Sequence, residues 1–191
     1  MYIGSEEILR RIREEKLLEN CDLKNVQGAG VDLEIEKLFE IASNASLGRE
    51  KRELPELREI IPKVVRKTRG LPKEDWQTRQ LPYGNLAIAR GRVFRLAPKK
   101  YYLCTTKERV NMPSDLIAFI LPRSTLFRSG VSLRTAVVDP GYVGALTLGI
   151  KNESEHEFTL EKNSRIAQIV FSKVYGKAEN YSGKYQGGRI S

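Results

Sequence analysis

The chain has 191 residues, of which 33 are lysine or arginine and 24 are aspartate or glutamate, so its formal net charge is +9. This length suits one domain with a substantial core. No apolar run approaches the length of a transmembrane helix, and the first residues lack the apolar centre of a signal peptide. These features argue against a membrane protein and predict a cytoplasmic one.

The positive charge would suit a nucleic-acid-binding protein, but its pattern does not favour one. The basic stretch over residues 49–73 is interspersed with glutamates, and mixed charge of this kind is typical of a solvated surface with ion pairs. No recognition helix, zinc finger or interleaved aromatic platform accompanies it. A positive surface would equally attract a nucleoside triphosphate, so charge alone does not choose the partner.

The first predicted element is a helix near the N-terminus. Ser5 is predicted as its N-cap, and two glutamates follow on the positive end of the helix. Apolar residues then recur at roughly helical spacing up to Leu17. After this helix, Val31–Ile35 alternates apolar and polar residues, which predicts a half-buried strand.

Residues 42–82 form the irregular part of the chain. Four of the eight prolines fall here, and the segment has too few apolar residues for a core of its own. Residues 54–65 could form one short helix that breaks at Pro62. We interpret residues 42–82 as a surface excursion inserted into a single domain that spans residues 1–191.

From residue 86 onward, short segments rich in β-branched and aromatic residues alternate with turns. This pattern predicts an antiparallel barrel or jelly roll, and hence a mainly β fold with a short N-terminal helix. The predicted strands cover Val93–Leu96, Tyr101–Thr105, Leu116–Leu121, Val131–Leu133, Ala145–Ile150, Glu157–Leu160 and Arg165–Val174.

Cysteine and histidine provide little chemistry in this sequence. Cys21 and Cys104 lack metal-ligand spacing and are predicted to be reduced, partly buried thiols. His156, the only histidine, lies in a charged turn and is interpreted as a solvated loop residue. The Cys and His pattern of the zinc deaminases is absent, which excludes zinc-dependent deamination.

The most informative stretch is Leu121–Gly144, where a Pro-Arg-Ser-Thr cluster precedes a Val-Val-Asp-Pro-Gly-Tyr-Val-Gly turn. It places a cation and hydroxyl donors near a carboxylate and an aromatic ring on a tight hairpin. Such a set suits an anionic ligand that carries a ring or a sugar. Position alone leaves another interpretation open, since an aspartate before Pro-Gly is often only a turn residue bonded to nearby backbone amides.

The stretch resembles the second and third motifs of the dUTPase and dCTP deaminase superfamily, which acts on deoxyuridine and deoxycytidine triphosphates. Three more segments are similar to its first, fourth and fifth motifs, in the family order: Ala29–Leu33, Ser164–Phe171 and Gly183–Gly188. The resemblance implies a dUTPase-like β-barrel, a homotrimer, Mg²⁺ as cofactor and dUTP as a substrate.

The resemblance also implies roles for the site residues. Asp139 would be the general base that polarises the attacking water, the ring of Tyr142 would pack on the deoxyribose, and Val138 would lie in the same substrate-binding hairpin. Asp32 would help to hold Mg²⁺ through water. The triphosphate would be bound by Arg123, Ser124, Thr125 and Gln168.

The C-terminal segment, residues 176–191, resembles the tail that folds over the triphosphate in deaminase-like members of the superfamily. Its implied substrate-binding residues are Tyr181, Lys184, Tyr185 and Gln186. We further expect backbone groups around Val137–Tyr142 to read the uracil ring.

Two departures from the deaminase pattern favour hydrolysis. Deaminases carry a glutamate ten residues after the motif aspartate, where this chain has Gly149, and an arginine two residues before it, where this chain has Val137. We therefore predict a dUTP diphosphatase that hydrolyses dUTP to dUMP and pyrophosphate by attack of water on the α-phosphate. The alternatives are a dCTP deaminase, alone or with dUTP hydrolysis, and a non-catalytic nucleotide-binding protein.

Overall fold

The computed structural model describes residues 1–65 and 91–190. Within these residues the chain forms two α-helices, α1 (Ser5–Glu15) and α2 (Ser124–Arg128), one 3₁₀ helix (Leu23–Asn25) and fourteen strands. The strands are β1 (Leu18–Glu19), β2 (Val26–Gln27), β3 (Gly30–Ile41), β4 (Ser46–Leu47), β5 (Arg52–Glu53), β6 (Leu57–Ile60), β7 (Lys63–Val65), β8 (Gly91–Leu96), β9 (Tyr101–Asn111), β10 (Leu116–Pro122), β11 (Val131–Arg134), β12 (Val143–Asn152), β13 (Phe158–Glu161) and β14 (Arg165–Lys173).

One antiparallel sheet wraps around the core. Its main strands follow the order β10–β14–β3–β9–β12–β11. The two ends of this sheet approach each other, because Ala118 on β10 forms an antiparallel bridge with Val138, which follows β11. Their backbone hydrogen bonds are 3.0 and 2.9 Å long. The bridge nearly closes the sheet, which confirms the predicted mainly β, barrel-like fold.

Smaller pairings complete the fold. A second sheet has the order β13–β8–β7, and β4 and β5 form a separate hairpin. Each strand predicted from residue 93 onward is present, although β9 continues well past the predicted end at Thr105, to Asn111. The predicted start of the β-rich region, residues 86–90, lies outside the described residues.

The barrel encloses an aliphatic core with a few aromatic rings. Its fully buried side chains come from helix α1, from most strands of the main sheet and from β8 of the second sheet. Burial of a side chain of this size contributes about 1.5–3 kcal/mol. Representative members are Ile8, Leu33, Ile35, Phe94, Leu116, Leu148, Ile166 and Phe171.

Helix α1 begins one residue earlier than predicted. Its N-cap is Gly4, which makes no side-chain capping bond, so the prediction of Ser5 as N-cap was wrong. A tertiary contact accounts for this, since the backbone N–H of Ser5, a free donor at the helix start, donates to the carbonyl of Gly28 at 3.0 Å. Two residues fix the helix to the barrel. Ile8 packs in the core, and Nη2 of the buried Arg11 lies 2.6 Å from Oδ2 of Asp115, which is distant in sequence.

The helix predicted over residues 54–65 was also wrong. The structure has strands β6 and β7 there instead. Strand β6 pairs with the C-terminal half of β3, from Leu38 opposite Ile60 to Ile41 opposite Leu57. The unpaired edge of β3 thus decides the local structure, because hydrogen bonds along a sheet edge outweigh a weak helical preference. The remainder of the proposed excursion, residues 66–82, lies outside the described residues.

Both cysteines are free thiols, as predicted, with Cys104 buried and Cys21 partly buried. Burial raises the pKa of the Cys104 thiol to about 12 and that of Cys21 to about 11. Neither thiol is therefore a reactive thiolate at neutral pH. His156 is exposed, as predicted. No helix in residues 1–65 and 91–190 is long and apolar enough to cross a membrane.

Glu108 on β9 is a fully buried carboxyl group. Its Oε2 accepts a hydrogen bond from the backbone N–H of Glu34 at 2.9 Å, whereas Oε1 has no hydrogen-bond partner in the described part of the chain. Burial raises the pKa of Glu108 from 4.5 to about 7, because the charged form loses its hydration. The folded protein therefore holds this proton more tightly than the unfolded chain.

Glu108→Gln is expected to remove a pH-dependent loss of stability. Because folding raises the pKa of Glu108, binding of its proton stabilises the folded state. This contribution to the free energy of unfolding is fully present below pH 4.5 and is lost as the pH rises through about 7. Each unit of pKa is worth about 1.4 kcal/mol, so the loss approaches about 3 kcal/mol. Glutamine keeps the acceptor for the Glu34 amide and has no proton to lose.

The measurement is urea unfolding at pH 5 and pH 8, at one fixed protein concentration. The wild type should lose stability relative to Glu108→Gln at the higher pH. The exposed Glu50→Gln serves as the matched control and should follow the wild type. Equal pH dependence in Glu108→Gln and the wild type would show that Glu108 does not titrate on unfolding.

Candidate functional site

Asp139 lies where the barrel closes. Val138, just before it, makes the bridge to β10, and Asp139 begins a turn in which the Tyr142 N–H donates to the Asp139 carbonyl at 3.2 Å. Pro140 and Gly141 occupy the two central positions, with Gly141 at φ +76°. Proline followed by a residue of positive φ is typical of a type II turn. The backbone carbonyl closes this turn, and the Asp139 side chain is exposed to solvent.

An apolar cavity of about 470 Å³ opens beside this turn, and Asp139 lies on its wall. We call it the aspartate pocket. Four other predicted site residues line it, namely Val138, Tyr142, Tyr181 and Tyr185. The remaining wall is mostly aliphatic and includes residues of β6, β9, β10 and β12. A mostly apolar cavity of this size with a few polar groups is typical of a small-molecule site.

Tyr142 is held firmly at the base of this pocket. Its hydroxyl donates to the carbonyl of Ala145 at 2.7 Å. Its ring meets that of Tyr181 edge to face, with 5.5 Å between centroids, a favourable geometry for two aromatic rings. Burial raises the pKa of the Tyr142 hydroxyl. Tyr142 therefore presents a fixed aromatic surface to any ligand in the cavity.

The C-terminal tail lies directly on the Asp139 hairpin. The Tyr181 N–H donates to the carbonyl of Pro140 at 2.7 Å, and the Gly187 N–H donates to that of Val143 at 2.7 Å. The hydroxyl of Tyr181 in turn accepts from the Tyr185 N–H at 3.3 Å. The tail therefore lies beside the aspartate pocket, whereas Lys184 is exposed and does not line the cavity.

Gln186 bridges two backbone groups of the hairpin. Its Nε2 donates to the carbonyl of Gly141 at 3.0 Å, and its Oε1 accepts from the Val143 N–H at 3.0 Å. The backbone groups of Val138 are likewise bonded, to Ala118. Several of the backbone groups that we expected to read uracil, including those of Val138 and the carbonyl of Gly141, therefore already have protein partners in this structure.

A second cluster surrounds Asp32 on β3. The strand prediction there was correct, but Asp32 is buried where alternation predicted an exposed side chain. The cause is a double ion pair, since Oδ2 of Asp32 contacts Nη1 of Arg123 and, at 3.2 Å, Nη1 of Arg165. A buried carboxylate is tolerated when such charged donors satisfy it.

Arg123 and Arg165 also line a polar cavity of about 620 Å³, which we call the arginine pocket. Thr125 lies on its wall, and Ser124 is an exposed neighbour at the start of α2. Gln168 lies opposite Asp32 in the β14–β3 register. The predicted phosphate ligands therefore gather around Asp32, where Arg123 precedes α2 instead of ending a strand.

A single chain does not bring the two clusters together. The aspartate pocket and the arginine pocket share no lining residue. Val138 bridges Ala118, and Arg123 lies five residues further along the chain from Ala118. At a rise of about 3.3 Å per residue, the backbone of Arg123 lies about 16 Å along the chain from the bridge between Ala118 and Val138.

A side chain at Gly149 on β12 would fit only if Tyr101 moved. A Cβ atom there would collide with the hydroxyl of Tyr101 and lie 3.1 Å from Cβ of Arg134. Gly149 faces the same side of the sheet as Leu103, its direct partner on β9, which lines the aspartate pocket. The place where a deaminase glutamate would project is thus filled by the ring of Tyr101.

The sequence reasoning missed Arg165 and Tyr101. Arg165 lies three residues before Gln168 in a motif that was recognised, so its position in that motif was an available signal. Tyr101 gave no such signal, because its contact with Gly149 depends on the pairing of β9 with β12. Leu54 and Leu57, from the supposed surface excursion, also line the aspartate pocket.

Within the described residues, no group of three or more His, Cys, Asp or Glu side chains could hold a metal ion. Mg²⁺ in proteins keeps several waters and is bound mainly through substrate phosphates with one or two carboxylates. Asp32 is a carboxylate beside the two arginines of the arginine pocket.

Comparisons with known proteins agree with this geometry. A model of the dCTP deaminase-like family matches residues 2–174. The chain is 34% identical over 161 residues to a probable deoxyuridine 5'-triphosphate nucleotidohydrolase of Methanothermobacter thermautotrophicus, covering 84% of this chain and 87% of the relative. It is also 43% identical over 95 residues to a dCTP deaminase of Pyrococcus abyssi, covering 49% of this chain and 62% of that protein.

Among solved structures, the chain resembles the 2'-deoxycytidine 5'-triphosphate deaminase of Agrobacterium tumefaciens, with a TM-score of 0.60 and 18% identity. The match covers 89% of this chain but only 47% of that longer chain, and identity this low shows a shared fold. The motifs, the barrel and the family match agree with one another. The chain belongs to the dCTP deaminase-like family of the dUTPase and dCTP deaminase superfamily.

Proposed function

We propose that the protein is a dUTP diphosphatase, which hydrolyses dUTP to dUMP and pyrophosphate. The observation that carries this proposal is the contact between Gly149 and Tyr101. Ring deamination needs a positioned acid and base to move protons, and here the corresponding place holds a tyrosine ring. Hydrolysis needs a base near the α-phosphate instead, and Asp139 offers an exposed carboxylate on the wall of the aspartate pocket.

In this proposal Asp139 takes a proton from water as the water attacks the α-phosphorus, and pyrophosphate leaves. A carboxylate in hydrogen-bond reach of that water makes it a better nucleophile. The pyrimidine and deoxyribose would occupy the aspartate pocket, with the sugar against the ring of Tyr142. This ring cannot move aside for a 2'-hydroxyl group, because its own hydroxyl is bonded to Ala145.

The triphosphate would bind at the arginine pocket. Arg123 and Arg165 supply charged donors, and Ser124, Thr125 and Gln168 supply neutral ones. Preorganised positive charge of this kind stabilises the charge that builds up on the phosphates during reaction. Mg²⁺, when bound, would neutralise part of the phosphate charge, with Asp32 holding it through water. The tail residues Tyr181, Lys184, Tyr185 and Gln186 would then cover the bound nucleotide.

We propose that the protein is a homotrimer in which the two clusters come together across subunits. The two pockets share no lining residue in the described part of the chain, which supports this arrangement, since Asp139 of one subunit would work with the arginine pocket of another. Light scattering is expected to give three times the mass of one chain for fully active protein. A monomer mass with full activity would contradict the proposal.

Complementation tests the sharing directly. Asp139→Asn and Arg123→Ala variants, each nearly inactive, are unfolded, mixed in equal amounts and refolded together. Random mixed trimers should recover about a quarter of the wild-type activity, because one site in four combines an intact aspartate with an intact arginine. Sites built within one chain would recover nothing.

The reaction itself is tested by product analysis with dUTP and dCTP. We expect dUMP and pyrophosphate from dUTP, and no ammonia from dCTP. Gly149→Glu should gain no deaminase activity and should lose stability by about 1–3 kcal/mol, because its side chain would collide with Tyr101. Stoichiometric ammonia from wild-type protein would instead identify a dCTP deaminase, and binding without any product would identify a non-catalytic nucleotide-binding protein.

The free thiols and the net charge bear on the location of the enzyme and on its partners. We propose a cytoplasmic location, where free thiols such as Cys21 and Cys104 stay reduced. No membrane partner is part of the proposal. The net charge of +9 is compatible with an anionic nucleotide substrate, and nucleic acid is not required as a partner.

A further inference from the structure

The β4–β5 hairpin of the inserted segment touches the C-terminal tail. The guanidinium carbon of Arg52 lies 5.8 Å from the centroid of the Tyr185 ring, within the range of a cation–π contact. The same two residues border a small cavity of about 410 Å³ between hairpin and tail. Two segments far apart in sequence therefore meet above the aspartate pocket.

The β4–β5 hairpin can support the C-terminal tail, because the base of the hairpin is fixed to the barrel. Ala42 donates its N–H to the carbonyl of Glu56 at 2.8 Å, and the Glu56 N–H donates to Oγ of Ser43 at 2.8 Å. The chain then continues into β6, which pairs with β3. Arg52 thus extends from a supported arm, although its own side chain is exposed.

The arm and the tail also enclose the same cavity. Leu54, Pro55 and Leu57, which follow Arg52 in the chain, line the aspartate pocket together with Tyr181 and Tyr185. The tail is a short irregular segment, and all its residues from 176 to 190 are exposed or half-buried. Such a segment opens easily unless contacts outside it hold it in place.

We propose that Arg52 is a positioning residue for substrate binding, which holds Tyr185 and with it the C-terminal tail over the nucleotide pocket. The β4–β5 hairpin is then part of the binding machinery. Arg52 acts through Tyr185 and does not touch the reacting atoms. The kinetic part of this proposal rests on the proposed dUTP hydrolysis, whereas the contact between Arg52 and the tail does not.

The first test needs no substrate. Amide hydrogen exchange is measured on the full-length protein, comparing wild type with Arg52→Ala. Losing an exposed cation–π contact of about 0.5–1 kcal/mol should speed exchange in residues 181–188 about two- to five-fold. Lys51→Ala, which removes a neighbouring exposed cation, is the matched control and should leave the tail unchanged. Equal exchange in the Arg52→Ala and Lys51→Ala variants would overturn the proposal.

The second test is kinetic. Arg52→Ala should raise KM for dUTP about two- to five-fold and leave kcat close to the wild-type value, since the chemistry is untouched. Arg52→Lys keeps the cation and Tyr185→Phe keeps the ring, so the KM for dUTP of both variants should stay close to the wild-type value. Arg52→Ala combined with Tyr185→Ala should be no worse than Tyr185→Ala alone. Additive effects in that double variant would refute coupling through the ring.

The two proposals fail in different ways. Faster tail exchange in Arg52→Ala with no hydrolysis of dUTP would support the Arg52 contact and reject the proposed reaction. Normal hydrolysis with unchanged tail exchange and unchanged KM in Arg52→Ala would support the reaction and reject Arg52 as a positioning residue.

Discussion

Asp139→Asn is expected to lower kcat for dUTP hydrolysis by about 100- to 10,000-fold, the usual loss when a general base is removed. Asparagine has nearly the same shape as aspartate but cannot accept the proton of the attacking water. The fold should survive, because the turn is closed by the backbone carbonyl of Asp139 and not by its carboxylate. KM for dUTP should change little, since substrate binding depends on other groups.

The measurement is steady-state kinetics alongside thermal unfolding of the same preparations. Asp22→Asn is a matched control, because Asp22 is an exposed aspartate at the N-cap of the 3₁₀ helix, where asparagine also serves as a cap. It should behave as wild type. Turnover of Asp139→Asn within a few-fold of wild type would remove Asp139 from the mechanism.

Arg123→Ala is expected to lower kcat/KM for dUTP by about 100- to 1,000-fold, the range observed when a single donor to a developing negative charge is lost. The arginine pocket would keep only one of its two guanidinium groups near Asp32. The kcat/KM of Arg123→Lys should lie between the values for the wild type and Arg123→Ala, because lysine keeps the charge but cannot form a forked pair of hydrogen bonds with phosphate.

Arg123→Ala should also lower thermal stability, since the buried Asp32 loses one of its two partners. The loss of activity must therefore be measured well below the melting temperature of the variant. Arg13→Ala, an exposed arginine on α1, is the control for general loss of positive charge. An Arg123→Ala variant that keeps its affinity for dUTP and its turnover would show that the phosphates bind elsewhere.

The parts of the fold that the sequence predicted are those fixed by local patterns. Alternating apolar residues and frequent turn residues predicted the strands from Val93 onward, because each strand has one face in the core. The Asp-Pro-Gly-Tyr turn was equally predictable, since proline and glycine favour the two central positions of a type II turn. The roles of the site residues near this turn came instead from the family resemblance, since position alone left Asp139 open as an ordinary turn residue.

The parts that could not be predicted depend on partners distant in sequence. Residues 54–65 have weak local preference, and their strands form because β3 offers an edge at Leu38–Ile41. Asp32 reads as a polar residue on an exposed face, and only its pairing with two arginines explains its burial. The contact of Tyr101 with Gly149 likewise requires the β9–β12 register.

The two hydrogen bonds of the Gln186 carboxamide affect the enthalpy with which a uracil base would bind. Its carboxamide presents one donor and one acceptor to Gly141 and Val143, and uracil offers the same pair through N3–H and a neighbouring carbonyl. A base that used these two backbone groups would replace the carboxamide bond for bond, so the exchange would release little net enthalpy. Its affinity would then come mainly from covering the apolar wall of the cavity, and calorimetry should show this as a negative heat-capacity change.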